Sequence, residues 1–223
     1  MLFENQSHPH DGQPVLEKGK PLSEAAGTVI LIHGRGASAD SILSLYKELE
    51  LLHPSVQELA WLAPQANNHT WYPYTFLSPT DQNEPGLSSA LKVIGELVEK
   101  AESAGIPKEK IVLAGFSQGA CLSLEYAAQN PDRYGGVVAL SGGLIGEEVD
   151  RDRYRGSMKH TPVFLGCSDY DPHIPEHRVH ESADIFERLD ADVTKVIYEG
   201  LGHTVNREEL EHFRDVLKKV LER

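Results

Sequence analysis

The sequence predicts an α/β protein with a mainly parallel sheet and helices on both of its faces. Three observations lead there. Short, continuously apolar runs recur along the 223 residues, segments with apolar residues at helical spacing separate them, and Gly or Pro marks the junctions. A strand that is apolar throughout suits burial on both faces, and consecutive parallel strands need a crossover that a helix supplies.

The elements follow in order. Residues 1–26 are polar and interrupted by Pro and Gly, as in His8-Pro9-His10-Asp11-Gly12, and are expected to form an N-terminal arm or peripheral hairpin. Residues 27–223 are read as a single domain, since no repeat, low-complexity tract or linker divides them. Val29-Ile30-Leu31-Ile32 is a buried strand ending in His33-Gly34-Arg35-Gly36, and the following helix has Asp40 as its expected N-cap and a stripe of Ile42, Leu45, Tyr46 and Leu49. A strand over 59–63 leads into a long aromatic and Pro-rich loop over 64–86. The next helix carries Leu87, Leu91, Ile94, Leu97, Val98 and Ala101, and Gly105 and Pro107 end it.

The same alternation continues to the end. A strand over 111–115 precedes a helix of small residues through Ala120, Leu124, Ala127 and Ala128, which stops at Asn130-Pro131. Strands over 137–141, 162–166 and 193–198 follow. Helices carry Val179, Ala183, Phe186 and Leu189 before the last strand, and Leu210, Phe213, Leu217 and Val220 after it.

Composition narrows the class of function. Acidic residues outnumber Lys and Arg by 34 to 21, a net charge of -13, so the cationic footprint needed for nucleic acid is missing. No apolar run approaches the ~20 residues of a membrane span, and Met1-Leu2-Phe3-Glu4-Asn5-Gln6 lacks the features of a signal peptide. Cys121 and Cys167, the only cysteines, both lie in apolar segments and suit a reducing compartment. A cytoplasmic protein is the expectation.

The sharpest motif is Gly115-Phe116-Ser117-Gln118-Gly119, between a strand and a helix. A sharp turn there strains the central residue and projects the Ser117 hydroxyl above the sheet, beside the free N–H groups of the helix start. A serine hydroxyl needs a base, and the base needs an orienting acid. Asp171, beyond the strand at 162–166, and His203, beyond the last strand, follow in the order expected of such enzymes. Asp169 competes as the acid, although Pro172 favours a turn presenting Asp171, and a Ser-containing tight turn is the bland alternative for Ser117. The backbone amides of Arg35 and Gln118 are the expected oxyanion donors, unless His33-Gly34-Arg35-Gly36 merely turns the chain. His33 is read as a structural hydrogen-bonder. His173, His177 and His180 are read as solvated, and no metal site is expected.

Together these residues resemble the phospholipase/carboxylesterase family of α/β-hydrolases, the group that includes acyl-protein thioesterases. The resemblance runs from about Thr28 to Leu221. It rests on His33-Gly34-Arg35-Gly36, Trp71 after Ala63-Pro64-Gln65, Gly105-Ile106-Pro107, Gly115-Phe116-Ser117-Gln118-Gly119, Asp169-Tyr170-Asp171-Pro172 and Tyr198-Glu199-Gly200 before His203. It implies an α/β-hydrolase fold with no large cap domain, hydrolysis of a carboxylic ester or thioester, no cofactor, a monomer or homodimer, and catalytic roles for Ser117, Asp171 and His203. One position departs from the family: the x of H-G-x-G is usually apolar, whereas here it is Arg35, whose guanidinium is left for solvent or a substrate carboxylate.

Trp71, Tyr72, Phe76, Phe116 and Ile174 are the candidate pocket residues. The aromatic loop either walls an acyl or aryl pocket or packs as core beneath itself. A small ester, aromatic or carrying a carboxylate, is the expected substrate. A lactone or dienelactone hydrolase, an acyltransferase or a peptidase would use the same residues, and an inactive hydrolase-fold binding protein is the rival from another class.

Overall fold

The computed structural model describes residues 7–222. The opening hexapeptide, on which the signal-peptide reading rests, lies outside the described residues. Seven strands form one sheet: β1 (Val15–Gly19), β2 (Thr28–Ile32), β3 (Ala60–Pro64), β4 (Ile111–Phe116), β5 (Gly136–Leu140), β6 (Pro162–Ser168) and β7 (Asp192–Tyr198). Their spatial order is β1-β3-β2-β4-β5-β6-β7, and every pairing is parallel except that of β1 with β3.

That order has a functional consequence. The chain steps from β2 outward to β3, then returns to lay β4 on the other side of β2, so the crossovers diverge between β2 and β4. Loops leaving the carboxyl ends of those two strands are pushed apart, which opens a crevice at the switch point. The loop after β2 is His33-Gly34-Arg35-Gly36 and the turn after β4 is Ser117.

Alternate strand residues feed two cores, as a sheet covered on both faces requires. Ile30 and Ile32 pack with α3 (Gly86–Ser103), α4 (Gln118–Gln129) and α5 (Glu176–Arg188). Val29 and Leu31 pack with α1 (Ala39–Ile42), α2 (Ser44–Leu52) and α6 (Arg207–Leu221). Between β5 and β6 the only regular element among the described residues is the 3-10 turn Arg151–Arg153, so no large cap is inserted there.

Residues 1–26 are expected to form an N-terminal arm or peripheral hairpin, and within them Val15–Gly19 pairs antiparallel along Ala60–Pro64 as the edge strand of the sheet. Its side chains are mostly exposed and too polar to signal burial, which is ordinary for an edge. The helix expected to start at Asp40 is two short helices meeting at Leu43, and the first is capped by Ser38 and Ser41 in a reciprocal capping box. Asp40 lies in its first turn, where its charge suits the helix dipole.

Candidate active site

Ser117 turns the chain from β4 into α4 with φ 56° and ψ -120°, a conformation rare for a residue with a side chain. Close packing on both sides enforces it. A Cβ on Gly119 would come within 3.0 Å of the Ile32 carbonyl oxygen, so only glycine lets the start of α4 press against the end of β2. The Ser117 N–H donates to the Leu140 carbonyl at 2.9 Å, which fixes the turn to β5. The hydroxyl is thereby held over the crevice.

Two other loops reach it. His203 Nε2 lies 2.9 Å from Ser117 Oγ, and His203 Nδ1 lies 2.7 Å from Asp171 Oδ2. With Nδ1–H directed at the carboxylate, Nε2 is left to accept the serine proton. Asp171 Oδ1 accepts from the N–H groups of His173 and Ile174 at 2.8 and 3.1 Å. Burial pushes the Asp171 carboxyl up, but the hydrogen bond from His203 and these two amides pull harder together and leave it below the ordinary carboxylate range. Asp169 faces elsewhere: its Oδ1 accepts the Gly200 N–H at 2.8 Å, bracing the loop that carries His203. The His203 ring is further held between Phe116 and His173, each 4.8 Å away between centroids.

The turn after β2 stands close by, since a Cβ on Gly34 would lie 3.3 Å from that of Ser117. Buried His33 shapes it, with Nδ1–H donating to the Gly34 carbonyl at 2.7 Å and Nε2 accepting the Ala66 N–H at 3.1 Å. Burial lowers the His33 pKa, so the neutral ring fits these two roles. Among the described residues, neither the Arg35 nor the Gln118 backbone N–H donates to a protein acceptor. Both are free for an oxygen in the crevice.

The Arg35 guanidinium, expected to be left for solvent or a substrate carboxylate, is exposed but partly engaged by the aromatic loop. Nη1 donates to the Pro73 carbonyl at 2.8 Å, Nη2 donates to the Tyr74 carbonyl, and the guanidinium carbon lies 6.0 Å from the Tyr72 ring centroid. The Gln118 side chain grips the same loop from below, accepting from the Trp71 N–H and donating to the Tyr72 carbonyl, both at 2.9 Å.

A cleft of about 770 Å³ opens over Ser117 and His203, and Tyr72, Phe76, Phe116 and Ile174 all line it. Trp71 does not. It is wholly buried beneath the loop, its indole N–H donating to the His33 carbonyl at 2.9 Å and its ring 5.1 Å from those of His10 and His33. The aromatic loop is thus pocket wall at Tyr72 and Phe76 and core at Trp71, because its polar indole edge finds a carbonyl only inside.

Sequence reading missed Leu77 and Pro172 on the wall, and the Gln118 side chain as a brace. It also missed Arg178, a buried cation on α5 bonded to the carbonyls of Leu144, Gly146 and Glu147 and lying 5.8 Å from the Phe76 ring centroid. An arginine within a helix stripe of Val179, Ala183 and Phe186 was the available signal. His173 turns onto His203, while His180 pairs with Glu176 at 3.0 Å.

A serine in a strand-to-helix turn at the switch point of a parallel sheet, with an aspartate and a histidine delivered from later strand ends, is the organisation of an α/β-hydrolase, and the protein is a serine hydrolase. Comparison with known proteins gives the family: the phospholipase/carboxylesterase model matches residues 14–221, and the chain belongs to that family. It is 30% identical to acyl-protein thioesterase 1 of Kluyveromyces lactis, over 93% of this chain and 96% of the relative. Among solved structures it resembles a phospholipase/carboxylesterase from Dyadobacter fermentans at 44% identity and a TM-score of 0.88, covering 93% of this chain and 97% of that one. Arabidopsis thaliana SOBER1, 20% identical with a TM-score of 0.73 over 87% of this chain and 99% of that one, shares the fold.

Proposed function

We propose that the protein hydrolyses a small carboxylic ester or thioester through an acyl-enzyme intermediate on Ser117. The observation that carries this reading is the unbroken chain from Ser117 Oγ to His203 to Asp171, at 2.9 and 2.7 Å, opening on an apolar-walled cleft. Ser117 attacks the carbonyl carbon as His203 Nε2 takes its proton, and Asp171 stabilises the imidazolium that forms. The amides of Arg35 and Gln118 hold the developing oxyanion, aided by the amino-terminal end of α4. The tetrahedral intermediate collapses as His203 gives its proton to the departing alcohol or thiol. Water, deprotonated by His203, then releases the acid and restores Ser117.

The substrate is a small molecule, and the residues assigned require no metal or cofactor. The cytoplasmic setting belongs to the same reading, supported by the two buried free thiols. Among the described residues no helix is long and apolar enough to cross a membrane. Hydrolysis of 4-nitrophenyl butyrate by the wild type and by Ser117→Ala tests the proposal. A drop of about 10⁴-fold or more in kcat is expected, and equal rates would sink it.

A further inference from the structure

We infer that the cleft selects an ester bearing a carboxylate, and that the Arg35 guanidinium is its counter-ion. The inference rests on the esterase reading above and adds the substrate's charge. Among the described residues that line the cleft, Arg35 is the one Lys, Arg, Asp or Glu. The acid nearest the chemistry, Asp171, has a side chain with no exposed surface and lies behind His203. Arg35 is exposed and forms no ion pair with any described residue. On a chain of net charge -13, a cation without an acidic partner at the mouth of the catalytic crevice is a local reversal of sign.

The guanidinium is also held in place. The Pro73 and Tyr74 carbonyls take one donor from each terminal nitrogen, and the Tyr72 ring lies 6.0 Å from its carbon. Neutral carbonyls orient the planar fork without cancelling its charge, and its remaining N–H groups are unspent on protein. A carboxylate arriving there meets a preorganised partner, so little rotamer freedom is lost on binding. An apolar side chain at this position would close the turn equally well, since the turn needs only the backbone amide. The cation must therefore be explained by something other than the oxyanion.

The test uses two matched pairs of esters. One pair carries the charge on the acyl side: 4-nitrophenyl hydrogen adipate against its methyl ester. The other carries it on the alcohol side: 4-carboxyphenyl butyrate against its methyl ester. The readout is the ratio of kcat/KM, charged over neutral, in wild type, Arg35→Met and Arg35→Lys. The ratio cancels any general damage to the turn. In at least one pair Arg35→Met is expected to lower it ~10- to 100-fold, with Lys restoring part. Raising salt to ~0.5 M should lower wild-type turnover of the charged ester and spare the neutral one, a check that needs no variant. A ratio unmoved by Arg35→Met in both pairs, or by salt, overturns the inference and leaves Arg35 as a brace for the loop. Wild-type turnover of none of the four esters above the Ser117→Ala background would instead overturn the esterase reading itself.

Discussion

Gly119 and Ile32 touch across the start of α4 and the end of β2, with no space between them for even a methyl group. This contact sets how far Ser117 stands above the sheet. It also ties the helix that follows Ser117 to the strand whose next residues form the His33-Gly34-Arg35-Gly36 turn. Gly119→Ala is therefore expected to destabilise the fold by about 1–3 kcal/mol or more, because the obstacle is backbone rather than a flexible side chain. Ester turnover should fall ~100-fold in the fraction that folds. Urea unfolding beside kcat measurement separates the two effects, and a variant with wild-type stability and turnover would show the contact to be unimportant.

The two aspartates of the loop after β6 divide their duties. Asp171 contacts His203 Nδ1 at 2.7 Å, whereas Asp169 holds the Gly200 N–H at 2.8 Å. Asp171→Asn should lower kcat by roughly 10⁴-fold by losing the tautomer and the imidazolium partner. Asp169→Ala should cost about 0.5–1.5 kcal/mol of stability, since the exposed Gly200 amide can turn to water, and less than about tenfold in kcat. Steady-state kinetics on both variants decides, and a reversal of the two effects would make Asp169 the acid.

Gln118 serves through its side chain as well as its amide. Its two bonds hold the backbone of Trp71 and Tyr72 under the cleft wall. Gln118→Leu keeps the amide but strands a buried N–H and a carbonyl, at about 1–3 kcal/mol for each group. A lower Tm and a rise in KM through a displaced Tyr72 are the expected results. Unchanged KM with lowered Tm would confine the side chain to a structural role.

Glu209 predicts a pH effect away from the chemistry. Its side chain is buried, Oε2 accepts the Asn206 N–H at 2.9 Å, and Oε1 has no partner among the described residues. Burial pushes its pKa up to about 7, partly opposed by the Asn206 bond. The native state then holds a proton that the unfolded chain has released above its ordinary value of 4.5, so this group lowers stability as pH rises from 4.5 to about 7 and adds no further change above. Glu209→Gln keeps the capping acceptor without the charge. It should be more stable than wild type at pH 8, by an amount on the order of 1–3 kcal/mol, and the gap should close towards pH 4.5. Thermal unfolding followed across this range would contradict the account if the gap were constant.

Much was legible in the sequence because its causes are local. Apolar runs such as Val29 to Ile32 state burial on both faces, and helix stripes state which side faces the sheet. That Ser117, Asp171 and His203 would meet was legible because a strand-to-helix turn flanked by glycines leaves few other conformations and the ends of parallel strands converge on one edge. What failed were features whose signals lie in another part of the chain. β1 reads as polar since what holds it in the sheet is backbone pairing with β3, while most of its side chains stay exposed. Asp40 lost the cap to Ser38 because Ser41 could answer Ser38 reciprocally.

Side-chain direction was decided only by the tertiary structure. Neighbours in sequence, Trp71 and Tyr72, part company: the indole goes under the loop to the His33 carbonyl, and the phenol ring joins the cleft wall under Arg35. Nothing in the order Trp-Tyr determines which one buries its polar edge, since the carbonyl that accepts it lies 38 residues away. Likewise the sequence alone suggested a cation beside Ser117. Only the folded loop, by bringing the Pro73 and Tyr74 carbonyls to it, fixed that cation at the cleft without neutralising it.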